Sequence, residues 1–403
     1  MRCSLSHRLR AVLTAGVTVI LMLGFLVAVP PAARALTFAD VPADHRDKLQ
    51  IEVMAQLGIA QGFSDGLWRP DAPVTRQQFA KMVVVAMRIP VSEVDTCLFG
   101  DVVVSEPGSL YPDNYVAAAA REGITTGTRA AVGGSKAMFS PDAHISLAQV
   151  VTMVARAAGE PLDSPPPSYV SVWGPFNPVH GPAARLAQYN GLLRELPLAD
   201  MSPWRDATRA EVAALLFNLM GTDPCGLNGR FLGTSGDLVT YFRSKAPSGE
   251  KFSVSVEQLA NLYITYGRRF GIRADMAWAQ MVHETGFGRY GGDVKPEQNN
   301  FAGIGATGSG VAGNSFATAE LGVIAQYAHL AWYIYPQHLD DPYCCMSTDP
   351  TVPGDPRHFS DGGSLHRGNV RTVLDLSQKW AVGSEYGAAL LDICGDIPRS
   401  HVW

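Results

Sequence analysis

Residues 36–221 repeat themselves, and an internal repeat restricts the possible folds more than any single motif does. The first copy (36–92) reads Phe38-Ala39-Asp40-Val41-Pro42, then a helical pattern through Ile51, Met54 and Leu57. It continues with Gly58-Ile59-Ala60-Gln61-Gly62, Ser64-Asp65-Gly66-Leu67-Trp68-Arg69-Pro70 and Val74-Thr75-Arg76-Gln77-Gln78-Phe79. The second (93–160) keeps the order with Phe99-Gly100-Asp101-Val102, a helix through Tyr115 to Arg121, and Gly123-Ile124-Thr125-Thr126-Gly127. Phe139-Ser140-Pro141-Asp142 and Ile145-Ser146-Leu147-Ala148-Gln149 close it. The third (161–221) is the most degenerate. It retains a helix through Ala183 to Tyr189, Gly191-Leu192-Leu193, Met201-Ser202-Pro203 and Ala207-Thr208-Arg209-Ala210-Glu211, with a Pro- and Ser-rich loop at 161–182.

Each unit therefore predicts helix, glycine turn, Pro-Asp loop and a second, capped helix. Thr75, Ser146 and Thr208 are placed as N-caps, with Gln78, Gln149 and Glu211 three residues on to complete capping boxes. One such unit cannot bury its own apolar faces, so the three are expected to pack into one bundle.

These motifs resemble S-layer homology repeats, most closely in the first copy. The resemblance implies a three-lobed helical module that binds a secondary cell-wall polysaccharide, with the arginine after the capping threonine grasping an anionic sugar. It carries that role to Arg76 and Arg209, while the second unit has Leu147 at this position. A guanidinium holding a carboxylate at a helix N-terminus is sound chemistry in itself; the alternative is a solvated first-turn charge, mildly unfavourable with the helix dipole. Asp40 and Asp101 are either groove residues or caps of the helices that follow them.

After a segment at 222–235 that reads as a linker, a second region (236–403) changes character. Helices are predicted at 236–245, 255–270, 274–285, 318–335, 369–380 and 384–394, and strand signals are scarce, so this domain too is mostly α. In the 274–285 helix Ala277, Met281 and Glu284 share a face at spacings of four and three. Glu284 thus ends an apolar helix just before the loop Gly286-Phe287-Gly288. A carboxylate there opposes the helix dipole, which tends to raise its pKa and suits an acid that protonates a glycosidic oxygen.

The runs Ala277-x-x-Gln280-x-x-x-Glu284-Thr285-Gly286-x-Gly288 and Asn299-Asn300-Phe301-Ala302-Gly303-Ile304 resemble bacterial N-acetylglucosaminidases of glycoside hydrolase family 73, within the lysozyme-like superfamily. Phe316-x-x-x-Glu320 and Trp380-Ala381 through Tyr386-Gly387 support that resemblance. It implies hydrolysis of the β-1,4 bond on the reducing side of N-acetylglucosamine in peptidoglycan, with Glu284 as acid. Tyr386 would stand near the cleft and stabilise developing charge, and Gln280, Asn299, Asn300, Phe301 and Gly303 would contact substrate. Glu320, Asp293 and Glu297 are candidates for a second carboxylate, unless the substrate's own N-acetyl group takes that part.

Several of these residues also have purely structural readings. Asn299 and Asn300 can equally fix their loop by backbone hydrogen bonds. Glu320 lies in a first helical turn, where an acid is favourable on dipole grounds alone. Trp332, Tyr333 and Tyr335 offer either a sugar-stacking face or core packing.

The N-terminus reads as a secretory leader over residues 1–35: Arg2, Arg8 and Arg10, an apolar stretch from Val12 to Val29, and Ala33-Arg34-Ala35 as the cleavage site. A retained membrane anchor is the alternative, since the apolar stretch is nearly long enough to span. Removal of the leader takes four arginines and no acid, leaving 28 basic against 37 acidic residues and moving the net charge from −5 to −9. Such a balance excludes non-specific nucleic-acid binding, and no further membrane span is expected. Of the five remaining cysteines, Cys344 or Cys345 is expected to pair with Cys225 or Cys394, and Cys97 completes the odd set. No Cys/His spacing fits a zinc site, so neither metal nor cofactor is expected. The expectation is an exported, envelope-associated peptidoglycan hydrolase. A lytic transglycosylase on the same fold, or a catalytically inactive envelope-binding protein, are the alternatives.

Overall fold

The capping signals of the repeats close as expected. In the computed structural model, which describes residues 37–306, 308, 310–337 and 367–400, Thr75, Ser146 and Thr208 each accept a hydrogen bond from the backbone three residues on. Gln78, Gln149 and Glu211 reach back to the cap in turn. These caps open α2 (Arg76–Ala86), α4 (Leu147–Arg156) and α6 (Arg209–Met220), which stand beside α1 (Lys48–Gln56), α3 (Asp113–Arg121) and α5 (Gly181–Tyr189). The secretory leader and the pair Cys344-Cys345 lie outside the described residues.

The three capped helices meet in a closed ring of backbone bonds. Val74 N–H donates to Ala207 O (3.1 Å), Ala207 N–H to Ile145 O (2.9 Å), and Ile145 N–H to Val74 O (2.9 Å). Immediately after the caps, Arg76 N–H bonds Ala143 O, Leu147 N–H bonds Arg205 O, and Arg209 N–H bonds Ala72 O. Each unit thus satisfies first-turn N–H groups of its neighbour, which a lone helix would leave to water. This cyclic exchange is why degenerate third-unit motifs still fold: the ring uses backbone, not side-chain identity.

The second region contributes α7 (Ser235–Lys245), α8 (Val256–Phe270), α9 (Ala274–Thr285), α10 (Ala319–Ile334) and α11 (Tyr386–Gly395). Eleven α-helices and no β-strand occur among the described residues, which is the mostly α class expected. The helix expected at 369–380 is reduced to a single 3-10 turn, Val373–Leu376. Thr372 and Asp375 cap that turn tightly, but Ser377 is extended and Gln378 is left-handed (φ 63°), so no second turn can form.

One continuous core of buried side chains runs from the repeats into the C-terminal helices. Residues 222–235 are mostly buried rather than a solvated tether. Arg230 Nε donates to Asn218 Oδ1 (2.7 Å), Arg88 pairs with Asp223, and Arg399 pairs with Glu160. Gly271 lies so close to Val53 that a Cβ there would sit 2.7 Å from its Cγ2. Deeper in, Arg273 and Asp275 form a fully buried ion pair at the start of α9, and Cys394 Sγ donates to the same carboxylate (3.3 Å). Cys97, Cys225 and Cys394 are free thiols, so the pairing expected of Cys225 or Cys394 is not formed.

Candidate active site

Helix α9 is buried along nearly its whole length, and it stops where Gly286 turns left-handed (φ 55°, ψ 52°). Phe287 N–H then closes back onto Val282 O (3.0 Å), and Thr285 Oγ1 bonds Met281 O (2.8 Å) while accepting from Gly288 N–H (2.9 Å). This rigid ending delivers the Glu284 carboxyl to a cleft of about 420 Å³. Tyr290, Asp293, Asn300, Gly303 and Trp380 are among the other residues that line it.

Glu284 is open to solvent on its cleft side, yet it is surrounded by enough protein for desolvation to push its pKa upward. Hydrogen bonds from Tyr386 and Trp380 pull partly the other way. Tyr386 Oη donates to Glu284 Oε1 at 2.6 Å. The other carboxyl oxygen, Oε2, lies on the Gly303 side: a Cβ at Gly303 would approach it to 3.3 Å, and the residue is left-handed (φ 64°). Glycine there keeps the space before Oε2 clear. A carboxyl held partly desolvated, with one oxygen anchored and the other facing a cleft, keeps its proton to higher pH than a fully hydrated one and can deliver it into the cleft.

The structure separates the other candidates. Asp293 lines the same cleft, its Oδ2 accepting from Gly310 N–H (3.2 Å). Glu320 does not line it; its Oε1 accepts from Tyr266 Oη (2.6 Å) at the exposed start of α10. Glu297 is exposed in the 3-10 turn Pro296–Gln298 and is likewise not among the lining residues. Gln280, taken for a substrate ligand, is 1% exposed and bonds Tyr386 Oη through Nε2 (3.0 Å). Phe301 is core, packed edge-on against Phe252.

Asn299 and Asn300 fix their loop. Asn299, left-handed (φ 49°), donates to Phe316 O, and Asn300 brackets Ile304 with bonds to both its O and its N–H. Asn300 still forms part of the cleft wall, whereas Asn299 is not among the lining residues. Trp332, Tyr333 and Tyr335 are core. His283, on the neighbouring face, rests edge-on against the Tyr386 ring.

In the repeats, Arg76 and Arg209 are buried rather than solvated. Arg76 Nε donates to Phe139 O (2.7 Å), and Arg209 donates to Trp68 O and Gln61 O (both 2.9 Å). Each guanidinium lies over aromatic rings of the next unit, Phe139 for Arg76 and Phe63 and Trp68 for Arg209. Arg76 also lines a cavity of about 260 Å³ with Thr125, Gly127, Arg156 and His180. Asp40 neither caps the following helix nor lies free for a ligand, since its two oxygens accept from Trp68 and Arg69 N–H.

With this geometry established, comparison with known proteins gives two family matches. Residues 260–393 match the glucosaminidase model described as mannosyl-glycoprotein endo-beta-N-acetylglucosaminidase, and residues 37–80 match the S-layer homology domain. An uncharacterized protein of Borreliella burgdorferi is 34% identical over 157 residues, which is 39% of this chain and 69% of that protein. Residues 260–393 of the chain form a glucosaminidase domain. The S-layer protein sap of Bacillus anthracis is 27% identical over 128 residues, 32% of this chain. An S-layer protein of Bacillus thuringiensis subsp. finitimus matches to the same extent, and the chain spans 14% of each.

A glucosaminidase domain joined to an S-layer homology domain supports a glycoside hydrolase that acts on peptidoglycan at the cell envelope. Among the described residues no helix is long and apolar enough to cross a membrane. Sequence reasoning had weighed Asp293 only as one of three acids. It missed Arg156 and His180, which line the cavity beside Arg76 and carry no local signal: Arg156 ends α4 far from its cap, and His180 stands just before α5, which has no side-chain cap.

Proposed function

We propose that this protein hydrolyses the β-1,4 bond on the reducing side of N-acetylglucosamine in peptidoglycan, with Glu284 as the general acid. The observation that carries this reading is the Glu284 carboxyl at the head of an open cleft, its pKa raised by desolvation and one oxygen held by Tyr386. Protonated, Glu284 would hand its cleft-side proton to the glycosidic oxygen; Tyr386 would then steady the carboxylate left behind. Asp293 is the acid in position to assist a water across the cleft. The three repeated units would hold the enzyme to a secondary cell-wall polysaccharide. The Arg76 cavity supports that role, because it gathers Arg76, Arg156 and His180 with no acid among its lining residues.

The test is digestion of purified peptidoglycan by the full-length mature chain, wild type beside Glu284→Gln, with mass spectrometry of the reduced products. New reducing N-acetylglucosamine ends are expected, falling by about 10²–10⁴-fold in rate in the variant. Anhydromuramic ends would instead assign a lytic transglycosylase. An unchanged rate in Glu284→Gln would remove Glu284 from the chemistry.

A further inference from the structure

Behind the cleft runs a chain of hydrogen bonds that the reaction scheme does not use. Helix α10 is almost wholly apolar, yet Gln326 sits in its middle with no exposure to solvent. Its Nε2 donates to Ala277 O on α9 (2.9 Å) and to Gln280 Oε1 (2.9 Å), and its Oε1 accepts from Tyr263 Oη of α8. Gln280 Nε2 then donates to Tyr386 Oη (3.0 Å), which donates to Glu284 Oε1 (2.6 Å).

The direction of every link follows from one backbone group. A carbonyl oxygen can only accept, so Ala277 O obliges Gln326 to present its NH₂ to α9. That leaves the Gln326 oxygen for Tyr263, and the second N–H of Gln326 for the Gln280 oxygen. Gln280 must therefore turn its own NH₂ to Tyr386. With an N–H occupying one side of its oxygen, the Tyr386 hydroxyl aims its single hydrogen at Glu284. Four donors point one way and end on the carboxyl, an arrangement in which each bond polarises the next.

We propose that Gln326 and Gln280 are positioning residues that fix Tyr386 as a donor to Glu284 Oε1, so that the acid's proton resides on Oε2, the oxygen facing Gly303 and the cleft. Without them the Tyr386 hydroxyl is free to rotate and accept a proton from Oε1, which turns the acid away from the substrate. The proposal rests on Glu284 being the acid. The titratable groups around it are Tyr386 from α11, Tyr290 and Asp293 from the loop after α9, and His283 on α9 itself.

The test measures kcat, KM and the pH profile of full-length Gln326→Met, Gln280→Met and Tyr386→Phe on solubilised peptidoglycan strands, together with the Tyr386→Phe double variants. Each glutamine change is expected to lower kcat about three- to tenfold, the effect of one hydrogen bond. KM should hold, because neither glutamine is among the residues lining the cleft. The basic limb should move up by about half a pH unit as the carboxylate loses a polarised donor. In the Tyr386→Phe background the same changes should have no further effect on kcat or on the limb. A loss that persists undiminished in that background overturns the proposal, since the glutamines would then act through packing alone. So does an unchanged kcat and limb in both single variants. If Glu284→Gln retains full activity, the assignment of the acid itself falls, an outcome distinct from either of these. Should Gln326→Met not fold, Gln280→Met reads the adjoining link.

Discussion

Arg76 and Arg209 in the repeats and Glu284 in the C-terminal domain share one oddity: each stands at the helix end whose partial charge repels it. The two regions answer that cost differently. In the repeats, buried carbonyls and aromatic faces of the next unit take up the guanidinium. At the end of α9, Glu284 is met by one tyrosine hydroxyl and one indole N–H, and its other side opens on a cleft. A charge set against a helix dipole therefore marks a cost. Where its hydrogen bonds go decides whether the fold offsets that cost or holds the charge for a ligand. Arg209 belongs to the first kind; under the function proposed above, Glu284 would belong to the second. Arg76 has a foot in each, since it clips two units together and also lines a cavity.

The largest effect should come from breaking the arginine clips. Arg209→Met strips two carbonyls of a charged donor and should destabilise the full chain by about 3–5 kcal/mol in chemical denaturation. Arg76→Met, with one such bond, should cost about 2–3 kcal/mol. If Arg209→Met left stability intact and abolished sedimentation with purified cell walls, the comparison would break, because that arginine would be a ligand and not a clip. Arg156→Ala sharpens it from the other side. Arg156 is exposed in the Arg76 cavity, so its loss should weaken wall binding while stability stays within about 0.5 kcal/mol of wild type.

A step smaller are the caps. Thr75→Ala, Ser146→Ala and Thr208→Ala should each cost about 1 kcal/mol. Similar losses at all three positions would show the ring bearing evenly on the three units. A much smaller loss at Thr208 would mark the degenerate third unit as held by its neighbours rather than by its own cap.

The capped helices were legible because a cap is local: Thr75, Ser146 and Thr208 announce it with a partner three residues on. Helix α9 and its glycine stop were legible for the same reason. The ring joining Val74, Ile145 and Ala207 was not, because it is made of backbone groups on which side-chain identity leaves no trace. Nor did the sequence tell that Gln280 faces inward to Tyr386 and Gln326 rather than outward to substrate. The i, i+4 spacing of Gln280 and Glu284 puts both on one face but not at one depth. The hint was Gln326, a lone amide at the centre of an apolar helix, which needs a buried partner and so predicts a polar group facing it. The segment 222–235 carries Gly, Pro and Asn like a linker, yet Leu227, Phe231 and Leu232 anchor it in the core. Turn-forming composition reports backbone shape, not solvent exposure.

The smallest effect is also the one of opposite sign. Desolvation raises the Glu284 pKa above its ordinary value of 4.5, so the folded chain binds more protons than the unfolded chain between the two values. Stability must then fall as pH rises through that window, and above it the fold carries a partly desolvated charge. Glu284→Gln keeps the shape and an oxygen to accept from Tyr386 but removes the charge. Its melting temperature should exceed that of wild type at neutral pH by less than the cap variants lose, because the cleft side of the carboxyl is wet. The difference should close as pH drops below the unfolded value, where both side chains are neutral. The same substitution that is expected to remove activity should thus slightly stabilise, whereas Arg209→Met should destabilise at every pH. Equal melting temperatures for Glu284→Gln and wild type across the whole range would mean that the carboxyl carries no desolvation cost. The contrast between a charge the fold has answered and one it holds open would then have no energetic basis.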